Sequence, residues 1–79
     1  MGTIMHTVTT NKDLGSLIRA ERKAQRLTQE QLAGVSGVGV RFVRELELGK
    51  ESCQLGKALL VLSTLGLRVT IATRSEARP

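Results

Sequence analysis

The stretch that decides the fold lies in the middle of the chain, at residues 28–50, TQEQLAGVSGVGVRFVRELELGK. Thr28 is followed three residues later by Gln31, a spacing typical of reciprocal side-chain capping at a helix N-terminus. Three glycines within six residues then interrupt the pattern, and Gly37 can adopt the positive φ of a tight turn. A second helix is predicted over residues 40–48 and ends at Gly49. The stretch therefore predicts two short helices joined by a tight turn.

A longer helix is predicted before this stretch and another after it. The first is expected over residues 13–25, because Thr10 and Asp13 form a weaker version of the same cap and Leu14, Leu17 and Ile18 share one apolar face. The later helix is expected over residues 54–65, where leucine recurs at positions 55, 59, 62 and 65. This helix carries more apolar side chains than one small core needs, which indicates a dimer interface.

The residues after Gly66 change to a period of two. Apolar residues at 67, 69 and 71 alternate with residues 68, 70 and 72, a pattern typical of a half-buried strand. Within a helical domain such a strand has no internal partner other than the N-terminal arm, which is one alternative. Antiparallel pairing with the same strand of a two-fold mate is the simplest way to close the exposed edge. The predicted dimer interface consists of five apolar residues: Leu62, Leu65, Leu67, Val69 and Ile71.

Composition restricts the classes of function. Twelve Lys and Arg against seven Asp and Glu give a net charge of +5, which favours nucleic acid or a membrane surface as partner, although many small basic domains bind nothing charged. With one cysteine, Cys53, and one histidine, His6, the 79-residue chain has no internal disulfide and no zinc ligand set. No apolar run reaches the roughly 18 residues that span a bilayer. The N-terminus also lacks the features of a signal peptide, so we expect a cytoplasmic protein.

The motifs favour binding over catalysis. No Ser/His/Asp or Cys/His set can be assembled with His6 in an N-terminal arm, and the glycines after Leu32 lack the Lys-Ser/Thr of a P-loop. We therefore expect no enzyme, no cofactor and no metal. Two helices joined by a glycine-bearing turn, the second exposing Arg41 and Arg44, form instead a helix-turn-helix pattern, whose second helix enters the major groove of DNA.

The motifs carry a family resemblance over residues 14–67. LTQEQLA at 27–33, VRELELGK at 43–50 and LLVLSTLGL at 59–67 resemble the phage-repressor-like (Xre) helix-turn-helix family. The leucine-rich helix followed by a strand in so small a chain resembles the HipB-type antitoxins more narrowly. The resemblance implies a mainly α fold, a lambda-repressor-like helix-turn-helix bundle of four to five helices with a C-terminal β-strand that pairs across a dimer. It divides the chain into an N-terminal arm (1–10), a DNA-binding domain (11–66), a dimerisation strand (67–73) and a flexible tail (74–79).

The resemblance also implies roles for individual residues. The residues expected to read base edges are Gly39, Val40, Arg41, Arg44 and Glu45. The residues expected to bind phosphates are Thr28, Gln29 and Lys50. Glu45 either accepts a hydrogen bond from a cytosine or pairs with Arg41 four residues earlier. Glu47 matches an acidic residue that supports the scaffold of the family.

Two positions depart from the family pattern. Gly39 stands where a Ser, Thr or Lys usually caps the third helix, which removes a side-chain contact but lets the backbone approach DNA closely. Arg26 stands where Gly or Asn is common after the first helix, and a left-handed Arg costs on the order of 1 kcal/mol. Arg22, Lys23 and Arg26 are either phosphate contacts or solvated residues at the end of that helix.

These observations predict a sequence-specific, dimeric repressor that reads a palindromic double-stranded DNA operator. By its resemblance to HipB-type antitoxins, the chain would also autoregulate its operon in a type II toxin-antitoxin system and bind a HipA-like serine/threonine kinase toxin. The alternative is a stand-alone Xre-family repressor without a toxin partner. A protein-interaction module that has lost DNA binding is disfavoured, because Arg41 and Arg44 keep the third helix basic.

Overall fold

The computed structural model describes residues 5–51 and 54–73, and these form four α-helices. The helices are α1 (Asn11–Ala24), α2 (Gln29–Ser36), α3 (Val40–Leu48) and α4 (Leu55–Thr64). The mainly α architecture is confirmed, and the bounds lie within one or two residues of the predicted ones. Residues 1–4 of the predicted arm, Cys53, and the predicted tail at 74–79 lie outside the described residues.

Reciprocal side-chain caps begin both helices for which they were predicted. At α1, the Thr10 hydroxyl accepts from the Asp13 amide at 3.1 Å, and the Asp13 carboxylate accepts from the Thr10 amide at 3.1 Å. At α2, Thr28 and Gln31 make the equivalent pair of bonds at 3.0 and 2.8 Å. Each cap satisfies amides that the helix itself leaves unpaired, and a capping side chain contributes about 1 kcal/mol of stability.

Glycine is required at two places for different reasons. Gly37 ends α2 with φ +76° and ψ +28°, the left-handed conformation that turns the chain toward α3. Gly15 lies where α1 crosses the end of α3, and a Cβ on it would come within 2.5 Å of the Leu46 carbonyl oxygen. The first glycine therefore sets the angle of the turn, and the second allows the backbones of α1 and α3 to touch.

The hydrophobic core lies between the four helices, with α3 packed on α1 and α2, and α2 packed on α4. The fully buried large side chains are Ile18, Leu32, Val43 and Val61, so every helix contributes one. The rest of the buried apolar set is Ala33, Leu46, Ala58, Leu62 and Leu65. The face of α3 that carries Val43 and Leu46 is therefore fixed against the core, which leaves its other face free.

The core contains two residues of the expected dimer interface. Leu62 and Leu65 are only 5% and 4% exposed within the single chain, so they leave little surface for a partner. The leucines of α4 that do lie at the surface are Leu55, Leu59 and Leu60. The leucine repeat marked an apolar helix correctly, but α4 is apolar on more than one side, and periodicity does not tell which side faces the core.

Residues 67–73 adopt no strand in the described single chain. A strand requires a ladder of hydrogen bonds to a neighbour, and the described residues form no such ladder over residues 67–73. Leu67 is half-buried against the core, whereas Val69 and Ile71 are exposed. The strand and its pairing across a dimer therefore stay a prediction.

Candidate nucleic-acid interface

The exposed face of α3 carries the charged residues predicted to read bases. Arg41 and Arg44 are exposed and Glu45 is half-buried, at spacings that place all three on one side of the helix. Val40 is half-buried and packs against the core, and Gly39 begins the helix in an extended conformation with no side-chain cap. The structure therefore brings the five predicted base-reading positions together at the first two turns of α3.

Leu48 belongs to the same face and was missed by sequence reasoning. It follows Arg41 by seven residues and Arg44 by four, and it is among the most exposed large apolar side chains of the described residues. With Arg19 of α1, Gln29 and Arg44 it lines a shallow depression between the helices. The helical period was the signal that connects Leu48 with the two arginines, and the position of Arg19 follows only from the packing of α1 on α3.

Glu45 joins two basic residues at one carboxylate oxygen. Arg41 donates from Nε to Oε2 of Glu45 at 3.3 Å, and Lys50 donates from Nζ to the same oxygen at 3.0 Å. The hydrogen bond from Lys50, and then that from Arg41, hold the pKa of Glu45 below its ordinary value. The predicted pairing of Glu45 with Arg41 is confirmed, and Lys50 is an additional partner.

A second, looser ion pair connects α2 with α3. Arg44 Nη2 lies 3.7 Å from Glu30 Oε2, and both side chains are more than half exposed. Exposed pairs of this kind contribute about 0–1 kcal/mol. Arg44 is thus held only weakly and remains available to another anion.

Behind the exposed face, a buried ion pair joins α1 to α3. Arg22 donates from Nε and Nη2 to the two oxygens of Glu47 at 2.6 and 3.1 Å, and from Nη1 to the Leu27 carbonyl at 2.8 Å. The hydrogen bonds to Glu47 raise the pKa of Arg22 above its ordinary value. The expectation of a solvated or phosphate-binding Arg22 is corrected, because its guanidinium is buried and fully engaged. The scaffold role expected for Glu47 agrees with this geometry.

Gln29 links this buried pair to the predicted phosphate-binding residues. Its Nε2 donates to Glu47 Oε1 at 3.0 Å, so the first residue of α2 is held by α3. Gln29 is half-buried, while Thr28 and Lys50 are exposed on either side of the turn motif. The three residues predicted to bind phosphates thus lie at the N-terminus of α2 and just beyond the C-terminus of α3.

Across residues 5–51 and 54–73, no group of three His, Cys, Asp or Glu side chains is placed to hold a metal ion. Within the same ranges no helix has the length and apolar character required to cross a membrane.

Comparison with known proteins agrees with this geometry. A model of the helix-turn-helix family matches residues 18–71. The chain is 49% identical over 71 residues to the uncharacterized HTH-type transcriptional regulator y4mF of Sinorhizobium fredii (strain NBRC 101917 / NGR234), covering 90% of this chain and 93% of that protein. Among solved structures it is similar in fold to chains in a HipA-HipB-O2-O3 complex and in a HipB-O4 20mer complex. In both cases the TM-score is 0.80 and the identity 18%, over 89% of this chain and 99% of the other. The chain belongs to the helix-turn-helix family of transcriptional regulators.

Proposed function

We propose that the protein is a sequence-specific repressor that binds a palindromic double-stranded DNA operator as a homodimer. The observation that carries this proposal is the two-sided character of α3. Val43 and Leu46 fix one side to the core, while Arg41 and Arg44 project from the other. A rigidly seated helix that exposes arginines, preceded by a tight turn and a capped helix, is the arrangement by which helix-turn-helix proteins read the major groove.

In this proposal the base-reading residues provide sequence specificity, and the phosphate-binding residues provide affinity. Arg41 binds guanine O6 and N7 through its guanidinium, and Val40 contacts a thymine methyl group. Gly39 allows the backbone to approach the groove closely. Thr28, Gln29 and Lys50 bind phosphates on either side, which positions α3 but carries no sequence information.

The dimer is proposed to form through α4 and the residues that follow it. Leu59 and Leu60 are exposed on α4, and Val69 and Ile71 are exposed beyond it. Antiparallel pairing of residues 67–73 with the same residues of a second copy would cover these exposed side chains. A two-fold dimer places two α3 helices on half-sites related by the same symmetry, which explains a palindromic operator.

The wider role that we propose is that of a HipB-like antitoxin. The layout of a helix-turn-helix bundle followed by a leucine-rich helix and a predicted strand supports it, and one solved structure of similar fold is named as a HipA-HipB complex. The protein would repress its own operon and bind a HipA-like serine/threonine kinase toxin. The alternative is a stand-alone repressor, the role that agrees with the plain name of the 49%-identical relative.

DNA binding is tested by fluorescence anisotropy with the DNA upstream of the gene and a scrambled duplex of the same composition. We expect the protein to prefer the upstream duplex. Arg41→Ala should lose about 1–3 kcal/mol of discrimination at one or two base pairs per half-site, whereas Gln29→Ala should weaken binding to all duplexes equally. Lys57→Ala removes one positive charge at a residue outside the predicted DNA-binding set, whose Nζ lies 5.9 Å from the centre of the Phe42 ring, and is the control for net charge. Equal binding of both duplexes by the unaltered protein would contradict the proposal.

The antitoxin role is tested by co-expression with any kinase-like product of the adjacent gene. Co-purification of the two proteins at a fixed stoichiometry would support an antitoxin. A repressor that binds its operator but captures no such product would be the stand-alone regulator.

A further inference from the structure

We propose that Glu45 is a positioning residue that orients the Arg41 guanidinium for base reading, and that Lys50 in turn fixes Glu45. This inference rests on the proposed DNA-binding function and adds a specificity-determining residue to it. The role differs from the direct base contact that the family resemblance implies for Glu45, since the carboxylate acts here through another side chain.

The geometry of Arg41 supports a positioning role. Its Nε donates to Glu45 at 3.3 Å, and its two terminal nitrogens, Nη1 and Nη2, make no hydrogen bond with any described residue. A guanidinium held at Nε presents its two outer N–H groups together, and these are the groups that match guanine O6 and N7. The Arg41 side chain is 86% exposed, so Glu45 is its one polar restraint within the described chain. Restricting it in advance reduces the rotamer entropy that binding would otherwise cost.

Lys50 supplies the second half of the arrangement. It lies just after Gly49, which ends α3, and its ammonium group donates to the same carboxylate oxygen at 3.0 Å. Glu45 is 31% exposed and is therefore less free than Arg41. The three side chains form a cluster with one negative and two positive charges, so the cluster still attracts DNA.

Glu30 offers a contrast on the same surface. Its carboxylate lies 3.7 Å from Nη2 of Arg44, which is one of the outer nitrogens needed for base contact. Glu30 therefore lies beside a nitrogen that would read a base, whereas Glu45 contacts Arg41 at Nε and leaves its outer nitrogens free. Both carboxylates repel phosphates, so neutralising either one should raise affinity for any DNA. Only the loss of Glu45 should also reduce discrimination.

The experiment compares the unaltered protein with Glu45→Gln, Glu45→Ala, Glu30→Gln, Arg41→Ala and the Arg41→Ala/Glu45→Gln double variant. Anisotropy is measured with the upstream duplex, a scrambled duplex, and upstream duplexes that carry single base-pair changes. At the base pairs that Arg41→Ala affects, we expect the preference of the Glu45 variants for the upstream sequence to fall about three- to tenfold. Glu30→Gln should strengthen binding to every duplex alike. When Arg41 is already alanine, adding Glu45→Gln should cause no further change in discrimination at those base pairs.

A measurement without DNA separates this inference from the proposed function. In the free protein, the NMR order parameter of the Arg41 Nε–H group should fall in Glu45→Ala and stay unchanged in Glu30→Gln. An unchanged order parameter, or a Glu45→Gln variant that shifts all duplexes equally as Glu30→Gln does, would overturn the positioning role. A loss at base pairs that Arg41 does not read would assign Glu45 a direct base contact instead. If the unaltered protein binds both duplexes equally while Arg41 is ordered by Glu45, the proposed function fails and the pairing is only structural.

Discussion

Two arginine–glutamate pairs, one between α1 and α3 and one within α3, show that the same pair of side chains can have different roles in a small protein. Arg22 and Glu47 are 10% and 3% exposed and share two hydrogen bonds, while Arg41 and Glu45 are 86% and 31% exposed and share one. The buried pair joins α1 to α3 and is further bonded to Gln29 and to the Leu27 carbonyl. The exposed pair links two residues one turn apart on the same helix. Burial therefore makes the first pair part of the scaffold, and exposure leaves the second free to exchange its partner.

The largest expected effect comes from breaking the buried pair. Glu47→Ala removes both carboxylate acceptors from the Arg22 guanidinium and leaves a buried charge with the Leu27 carbonyl but no counter-charge, so we expect a loss of about 3–5 kcal/mol in the free energy of unfolding. Glu45→Ala is the matched control on the same helix, with an expected loss of at most about 0.5 kcal/mol. Urea denaturation followed by circular dichroism measures both. Similar losses in the two variants would remove the distinction between the pairs.

A methyl group at the crossing of α1 and α3 tests how rigid the scaffold is around the buried pair. In Gly15→Ala the new Cβ would lie 2.5 Å from the Leu46 carbonyl oxygen and 2.6 Å from that of Glu47. Since both are backbone atoms, we expect a loss of about 1–3 kcal/mol in unfolding free energy. Gly34→Ala, where the added Cβ meets no atom within 4 Å, should instead gain up to about 1 kcal/mol. Thermal unfolding measures the stability of the two alanine variants. A Gly15→Ala protein as stable as the unaltered one would mean that α1 can shift on α3 to make room for the methyl group.

A smaller effect is expected at Arg26, which directly precedes the Leu27 carbonyl that Arg22 binds. Arg26 has φ +61° and is the one non-glycine residue with positive φ among the described residues. Arg26 thus has the left-handed φ that costs a residue other than glycine on the order of 1 kcal/mol. Arg26→Gly should relieve the strain and raise the unfolding free energy by about 0.5–1 kcal/mol. A decrease in calorimetric melting temperature would show instead that the Arg26 side chain contributes more than its backbone costs.

The smallest effect concerns pH. The Asp13 carboxylate accepts from the amides of Thr9 and Thr10 at 3.0 and 3.1 Å, and the bond from Thr9 contributes most to lowering its pKa. Because the unfolded chain binds the proton more tightly, this contribution to stability is complete above the ordinary carboxyl pKa of about 3.9. It is lost as the pH falls through the lower pKa of the folded state.

Urea titrations between neutral and acidic pH measure this dependence. Asp13→Asn should make the fall in stability on acidification shallower. Glu51→Gln, which removes a carboxylate that makes no hydrogen bond with a described residue, is the control. A slope that Asp13→Asn leaves unchanged would contradict the assignment of the pH dependence to the α1 cap.

Most of the fold could be predicted from local sequence signals. The caps at Thr10 and Thr28, the turn at Gly37 and the stop at Gly49 are all encoded within a few residues, and each was predicted correctly. The pairing of Arg41 with Glu45 follows from their spacing on one helix. The burial of Arg22 was not predictable in the same way. Its partner Glu47 is 25 residues away, and a charge near a helix end is ordinarily solvated.

Two further features depended on tertiary packing. The leucines of α4 form an apolar helix by their spacing, but only the placement of α2 decides that Leu62 is buried and Leu59 exposed. Residues 67–73 alternate like a strand but form none in the described single chain, because a strand needs a ladder of hydrogen bonds to a neighbour. The sequence thus predicts the helices well. It predicts which side of a helix faces the core only where one side is clearly polar.

The two sides of α3 have different roles, and this difference affects how the protein can evolve. Val43 and Leu46 hold the helix in place, while Arg41, Arg44 and Leu48 lie on the opposite side and contribute nothing to the core. A mutation at any of these three positions leaves the packing intact, so the fold does not oppose it. A lineage carrying this scaffold can therefore acquire new operator preferences by single substitutions without first acquiring extra stability. Recognition can diverge quickly between relatives whose cores remain nearly the same.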